Sequence, residues 1–287
     1  MAKVGVIGGS GLYEMDGVTI EEDVTIVDTP FGRPSGHFLK GKFGDVDVVF
    51  LARHGKGHRI SPSEINYRAN IFEMKRLGVD AIISVSACGS LREEIKPLDF
   101  VVPDQFVDRT NKARESSFFT DGIVAHVSLA DPVAPELTEI LIDSVKEAGA
   151  TVHEKGTYIN MEGPQFSTRA ESNLYRSWGM DVIGMTNMAE AKLCMEAEIA
   201  YASLCAVTDY DCWHQDHDQV TVEMIINNLT QNVKVSKAIL KIAIPRVGKL
   251  SSFKAQDALK YAIITSPDAI SEQKKKELSV IIGKYIK

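Results

Sequence analysis

Two aspartates, Asp209 and Asp211, flank Tyr210 at the end of the apolar run SLCAVT, residues 203–208. A carboxylate at the mouth of a buried strand is costly unless it holds something. The pair is therefore a candidate ligand-binding group. A second candidate lies in FLARHGKGHRISP, residues 50–62, where Arg53 and His54 emerge together from a strand into a glycine-bearing loop. A guanidinium fork matches phosphate oxygens, an imidazole adds a further donor, and the carboxyl ends of strands are where open α/β sheets take ligands. The plain alternative is a solvated loop carrying two ordinary cations.

Other stretches carry weaker signals. In VIGGSGLYE, residues 6–14, a strand runs into Gly8, Gly9, Ser10 and Gly11, where backbone N–H groups can approach an anion. A dinucleotide fingerprint fails on spacing, because Glu14 stands where its third glycine belongs, and no Gly-Lys-Ser/Thr follows to make a P-loop. A simple tight turn also fits. In SVSACGSLREE, residues 84–94, Ser86 offers a hydroxyl, and Ala87, Cys88 and Gly89 are small enough for a ligand to rest on the backbone. Cys88 has no His–Asp pattern beside it and reads as a small buried thiol rather than a nucleophile. MEGPQFSTRAE, residues 161–171, turns at Gly163-Pro164, presents Phe166 for stacking or for core packing, and supplies Ser167 or Thr168 as a helix cap. Met185 and Thr186 close another strand. His214 and His217 have metal-pair spacing, but no further ligand group accompanies them, so no metal is expected.

These residues need a scaffold. Apolar runs at 3–8, 46–52, 79–87, 99–107 and 199–207 read as buried strands. Between them lie helical patterns. One starts at Ser61, with Pro62 in first position, Glu64 completing a capping box and Gly78 as the stop. Others cover about 135–148 and 168–178, and a long one begins near Val220, with Ile226, Leu229, Val233 and Leu240 in phase. Alternation of strands and helices predicts an α/β fold, one domain with a central mixed sheet covered on both faces. Residues 1–249 form that domain. Residues 250–287 read as a C-terminal helical extension, opened by Ser266-Pro267 and striped by Leu278, Ile281, Ile282 and Tyr285, packing on the domain or on a neighbouring subunit.

The 287 residues are 44% hydrophobic and 25% charged with net charge −7, so a large core is available and no basic block suggests nucleic acid. The four cysteines form no C-x-x-C pair, which points to reduced thiols and a cytoplasmic setting. The N-terminus lacks a signal-peptide shape, and no run reaches the roughly 18 apolar residues of a membrane helix.

Taken in order, IGGSGLY, DTPFGRPSG, LARHGKGHRISPSEINYRANI, ACGSLREEI, PDQFVDRT, MEGPQFSTRAESNLYRSWG, VIGMTNMAEAKLCMEAEI and TDYDCWH resemble the S-methyl-5'-thioadenosine phosphorylases of the trimeric purine nucleoside phosphorylase superfamily. The similarity spans roughly residues 3 to 245. It implies the nucleoside phosphorylase fold and a phosphate site made by Ser10, Arg53, His54, Ser86, Ala87 and Thr186. Positions 10 and 86 are often threonine in this family; serine keeps the hydroxyl. By the same resemblance Asp209 sits beside the purine N7 and exocyclic amine, with Asp211 supporting the amine end. Phe166, Met185 and Tyr210 belong to the nucleoside site, and Ser167 and Val222 mark positions tied to substrate choice. Val222, Ile225 and Ile226 offer an apolar pocket for the methylthio group, and His126 reaches that end from an adjacent subunit. The implied reaction is phosphorolysis of methylthioadenosine with no cofactor, inorganic phosphate being a co-substrate. The implied partners are a nucleoside, phosphate and other copies of the chain, as a trimer or dimer of trimers. Sibling phosphorylases of adenosine, inosine or methylthioinosine, a hydrolytic nucleosidase and a non-enzymatic nucleotide binder are the competing readings.

Overall fold

The structure, a computed structural model, describes residues 1–9, 11–12, 14–26, 28–111, 114–214 and 222–286, the side chains of 222–226 excepted. The first half of the chain forms β1 (Val4–Gly8), β2 (Val18–Val24), β3 (Phe38–Phe43), β4 (Val46–Ala52), α1 (Tyr67–Arg76), β5 (Ala81–Ser90), β6 (Phe100–Val101), β7 (Gln105–Arg109) and α2 (Pro135–Glu147). The second half adds β8 (Val152–His153), β9 (Thr157–Met161), α3 (Arg169–Ser177), β10 (Val182–Gly184), α4 (Asn187–Glu196), β11 (Ala200–Asp209), α5 (Val222–Gly248), α6 (Glu272–Glu277) and α7 (Ser279–Ile282).

The sheet is mixed and runs β2-β3-β4-β1-β5-β10-β9-β7, with β11 on the other edge of β5. The strands β1, β4, β5 and β11 are mutually parallel, so their carboxyl ends share one edge of the molecule. Alternating side chains feed two cores. On one face Ile7 and Ile82 meet α1 and α4 through Ile71, Met74 and Leu193. On the other face Val6 and Ile83 meet α2 and α5 through Leu137, Leu141, Leu240 and Ile244. Each such side chain contributes roughly 1.5–3 kcal/mol on leaving water, which fixes the register of the central strands.

Several boundaries differ from the sequence expectation. Ser61 and Glu64 do bond, with Ser61 Oγ donating to Glu64 Oε2 at 2.6 Å, but they close a turn. The helix starts later at Tyr67, because the Asn66 side chain accepts from the Ala69 N–H. The run at 99–107 breaks into β6 and β7. In α5 the side chain of Leu229 is 39% exposed, and the buried seam runs instead through Asn232, Ser236, Ile239, Leu240, Ala243, Ile244 and Val247. The last helical segment is capped by Ser271 rather than opened by Ser266-Pro267, which form a separate 3-10 turn. Leu259, Ile270, Leu278, Ile281 and Ile282 lie in the same core as α1 and α4, so the C-terminal residues pack on their own domain.

Candidate active site

The centre of the site is a gap in the sheet. One edge of β5 pairs with β11 from Ala81 to Gly89. Its other edge pairs in parallel with β1 up to Ser84, then in antiparallel with β10 at Gly89 and Ser90. Between Ser84 and Gly89 that second edge has no strand partner among the described residues; the Val85 carbonyl there accepts from Arg53, and the alternation of the strand turns the Ala87 backbone to the same crevice. Such a change of neighbour beyond strand carboxyl ends is where α/β sheets hold ligands.

One end of the crevice is acidic. The β5–β11 register shifts between Val207 and Asp209, and the irregularity sets Asp209 beside Gly89. A Cβ at residue 89 would stand 3.0 Å from Asp209 Oδ1 and 3.5 Å from the Asp211 Cβ, so glycine is what admits both carboxylates. Thr208 Oγ1 donates to Asp209 Oδ2 at 2.6 Å and the Asp211 N–H donates to Asp209 Oδ1 at 2.8 Å. Asp211 holds a left-handed φ of 52°, tolerated by a short polar side chain. Its Oδ2 is buried, and among the described residues no partner lies within hydrogen-bonding geometry. Burial pushes the Asp209 carboxyl up, against the hydrogen bonds from Thr208 and the Asp211 backbone. Burial also pushes Asp211 up to about 6; the Ser172 hydroxyl opposes the rise, the Asp209 charge adds to it and Ser167 opposes it. Tyr210, between them, packs its ring against Trp213 and His214 and donates its hydroxyl to the Glu93 carbonyl at 3.4 Å.

A turn from β9 borders this end. Gly163, with φ 70°, lets Met185 lie against it; a Cβ there would stand 2.4 Å from the Met185 sulfur. Phe166 is 57% exposed at the turn, an apolar ring open to contact. Ser167 is buried, its carbonyl accepting from the Cys212 thiol at 3.3 Å, which ties this turn to the aspartate segment. Thr168 and Glu171 make a reciprocal capping box that starts α3.

The other end of the crevice is hydroxyl-rich. The start of α4, which follows β10, and Ser86 of β5 meet around the Cys205 sulfur. Thr186 is the N-cap residue of α4, without a side-chain cap bond, and its hydroxyl donates to Asn187 Oδ1 at 3.1 Å. Ser86 is buried with its Oγ 3.6 Å from Cys205 Sγ, and Asn187 Nδ2 donates to the same sulfur at 3.5 Å. Ala87, the next residue of β5, is exposed. A helix N-terminus, two hydroxyls and an unpaired strand edge are an anion-binding combination.

The two cations differ from the open fork expected of them. Arg53 is 3% exposed and gives its Nε–H to Glu190 Oε1 at 2.7 Å, with a second bond to Glu190 Oε2 at 3.1 Å. It also donates to the Val85 carbonyl at 2.8 Å and to Ser84 Oγ at 2.5 Å. His54 donates Nδ1–H to the Ile60 carbonyl at 2.8 Å and stacks on His58 at 4.1 Å between centroids. Burial lowers His54 to about 4, with Arg53 and His58 also lowering it and the Ile60 carbonyl opposing. A neutral ring donating at Nδ1 presents Nε2 as an acceptor.

The remaining expected positions lie apart or outside. Ser10 lies outside the described residues, as do the side chains of Val222, Ile225 and Ile226 at the start of α5. His217 is outside them too, and His214 pairs with Glu93 Oε1 at 3.0 Å. His126 is exposed and its backbone N–H bonds the Ala262 carbonyl, beside the exposed Val124, Tyr261 and Ile264. A separate cavity of about 180 Å³, lined by Val133, Met195, Tyr201 and Lys254, opens near the start of β11, the end of that strand remote from Asp209.

The sequence profile of the phosphorylase superfamily matches residues 3–245. A protein of Geobacter sulfurreducens named S-methyl-5'-thioadenosine phosphorylase is 56% identical over 283 residues, 99% of each chain. The chain belongs to the S-methyl-5'-thioadenosine phosphorylases of that superfamily. A second member, from Thermosynechococcus vestitus, is also 56% identical over 99% of each chain. A crystal structure of a methylthioadenosine phosphorylase from an antarctic soil metagenomic library is 48% identical, with TM-score 0.92 over 98% of both chains. The methylthioadenosine phosphorylase of Schistosoma mansoni in complex with adenine is 38% identical, with TM-score 0.82 over 91% of this chain and 96% of that one.

Two buried residues bonded to these groups escaped the sequence reading. Glu190 is 1% exposed and gathers Arg53, Ser84 and the Tyr201 hydroxyl, the last at 3.0 Å. Arg114 donates Nε–H to Glu162 Oε1 at 3.0 Å, bonds the Glu162 carbonyl at 2.5 Å and also bonds the Met185 carbonyl, joining the β9 turn to the strand end before Thr186. Glutamates inside MAEAKLCMEAEI gave one faint signal for Glu190, since a buried helix face rarely carries a carboxylate without a partner.

Proposed function

We propose that the protein cleaves S-methyl-5'-thioadenosine with inorganic phosphate, giving adenine and 5-methylthioribose 1-phosphate. The observation that carries this reading is the crevice itself, with buried carboxylates at one end and hydroxyls plus a helix N-terminus at the other. Phosphate bound by Ser10, Ser86, Thr186 and the backbone at Ala87, with Arg53 and His54 behind it, approaches C1' from the face opposite the base. The C1'–N9 bond breaks, its electrons pass to the purine, and a phosphate oxygen forms the new bond to C1'. The sugar passes through oxocarbenium character, which the adjacent anion stabilises.

Asp209 serves the leaving group. Burial raises its carboxyl pKa above the ordinary value, and in its protonated form it donates a hydrogen bond to N7, while Asp211 accepts from the 6-amino group. That pairing favours adenine over a 6-oxo purine. Phe166, Met185 and Tyr210 belong to the nucleoside end, Ser167 and Val222 tune choice, and Val222, Ile225 and Ile226 cover the methylthio group. His126 completes the pocket from a neighbouring copy in a homo-oligomer, a trimer or dimer of trimers. Free cysteines fit a cytoplasmic protein, and among the described residues no helix is long and apolar enough to cross a membrane. The reaction uses no cofactor. Base release from methylthioadenosine, adenosine and methylthioinosine, each with and without phosphate, tests the reading. Phosphate-dependent release fastest from methylthioadenosine is expected; faster methylthioinosine turnover contradicts the role of Asp209, and full release without phosphate contradicts the anion site.

A further inference from the structure

An arginine meant to grip phosphate would ordinarily keep its fork open. Here the fork is already filled. Guanidinium has five N–H donors, and four bonds go to Glu190 Oε1, Glu190 Oε2, Ser84 Oγ and the Val85 carbonyl. Among the described residues one N–H of Arg53 is left for an incoming anion. The carboxylate that claims the fork comes from α4, 137 residues away in sequence, on the helix whose N-terminus Thr186 caps. Both partners are buried, at 3% and 2% side-chain exposure, so their attraction is weakly screened. Ser84 Oγ donates to Glu190 Oε2 at 2.6 Å and Tyr201 donates to the same oxygen at 3.0 Å, so the carboxylate is itself fixed from three sides.

We propose that Glu190 is a positioning residue for phosphate: it locks Arg53 with one donor facing the anion and cancels the guanidinium charge, making the phosphate cradle nearly neutral. This inference rests on the phosphorolysis proposed above and adds a reason for the pairing. A strongly cationic pocket would bind hydrogen phosphate tightly but quench the charge that must face the ribosyl cation. Interactions equally strong in the ground and transition states do not raise turnover. A cradle of hydroxyls, backbone N–H groups and one guanidinium N–H orients the anion and leaves its charge for the sugar. His54 fits the same pattern. Its Nδ1–H is committed to the Ile60 carbonyl, so Nε2 accepts, and hydrogen phosphate has a hydroxyl to give it whereas sulfate at neutral pH has none.

The test separates charge from geometry in the full-length protein. Glu190→Gln keeps the shape and one acceptor but removes the charge. It is expected to lower the phosphate KM and the sulfate inhibition constant, each by about tenfold, the effect of one uncancelled charge worth about 1.4 kcal/mol. Its kcat falls by a larger factor, and the nucleoside KM stays within about twofold, below the change a direct contact produces. Glu190→Asp keeps the charge but draws the carboxylate back, and is expected to raise the phosphate KM with the nucleoside KM unchanged. Unchanged or raised phosphate KM in Glu190→Gln overturns the inference. If Glu190→Gln does not fold, Glu190→Asp alone decides the positioning half, and an unchanged phosphate KM overturns it. Wild-type base release is measured alongside. Phosphate-independent release in the wild type removes the underlying functional reading, whereas phosphate-dependent release with an indifferent Glu190→Gln removes only this inference.

Discussion

Asp209 and Asp211 are placed at a cost. From its ordinary 3.8, Asp211 rises to about 6, on the order of 3 kcal/mol at 1.36 kcal/mol per pH unit. The folded state binds this proton more tightly than the unfolded chain does. Stability from the group is therefore fully present below pH 3.8 and is lost as pH rises through about 6. Asp211→Asn should flatten that slope, raising the melting temperature at pH 8 and changing it little at pH 4; parallel melting curves for the two proteins would contradict it. Asp209→Ala should cut kcat by roughly 10²–10⁴-fold, the range of a lost acid, while phosphate KM changes much less. The reverse pattern in steady-state kinetics would place the purine elsewhere. These aspartates were legible in the sequence because a carboxylate after a buried apolar run announces itself. Glu190 and Arg114 were not, because their partners lie 137 and 71 residues away and only the packed sheet brings them together.

The strands and their breaks set the site more than the helices do. The uncovered edge of β5 exists because β1 pairs up to Ser84 and β10 returns only at Gly89. Gly89 is the narrowest point of that design. Gly89→Ala would press its new methyl against Asp209 Oδ1 and Ile183 Cγ2, at 3.0 and 3.1 Å. Turnover should fall at least tenfold while the melting temperature moves by only a few degrees, since overpacking costs about 1–3 kcal/mol. Equal kcat in the variant would show that the aspartates do not depend on this contact. Central strands such as β1, β4, β5 and β11 were readable as continuous apolar runs. The β2–β3 hairpin was not, because β2 is exposed along most of its length and carries no such run. The start of α1 was misplaced for a related reason: Ser61 and Glu64 form the bond of a capping box, and sequence cannot show that the chain turns again before Asn66.

At the scale of the molecule, the two-faced core explains why residues near the C-terminus, beyond the superfamily match at 245, remain part of the fold. It also leaves apolar groups uncovered around His126, with Val124 at 47%, Tyr261 at 90% and Ile264 at 65% exposure. If neighbouring copies bury this surface, Ile264→Glu should reduce the mass seen by light scattering to that of a single chain and lower kcat/KM, with the circular dichroism unchanged. An assembly unaltered by that charge would remove this surface from the interface. The proposed reaction needs an oxyanion and a purine at opposite ends of one crevice on β5. The most direct measurement is a crystal structure with sulfate and adenine bound. Sulfate beside Ser86, Ala87 and Thr186, with adenine against Asp209 and Asp211, is the predicted result; either molecule seated away from that crevice would contradict the account.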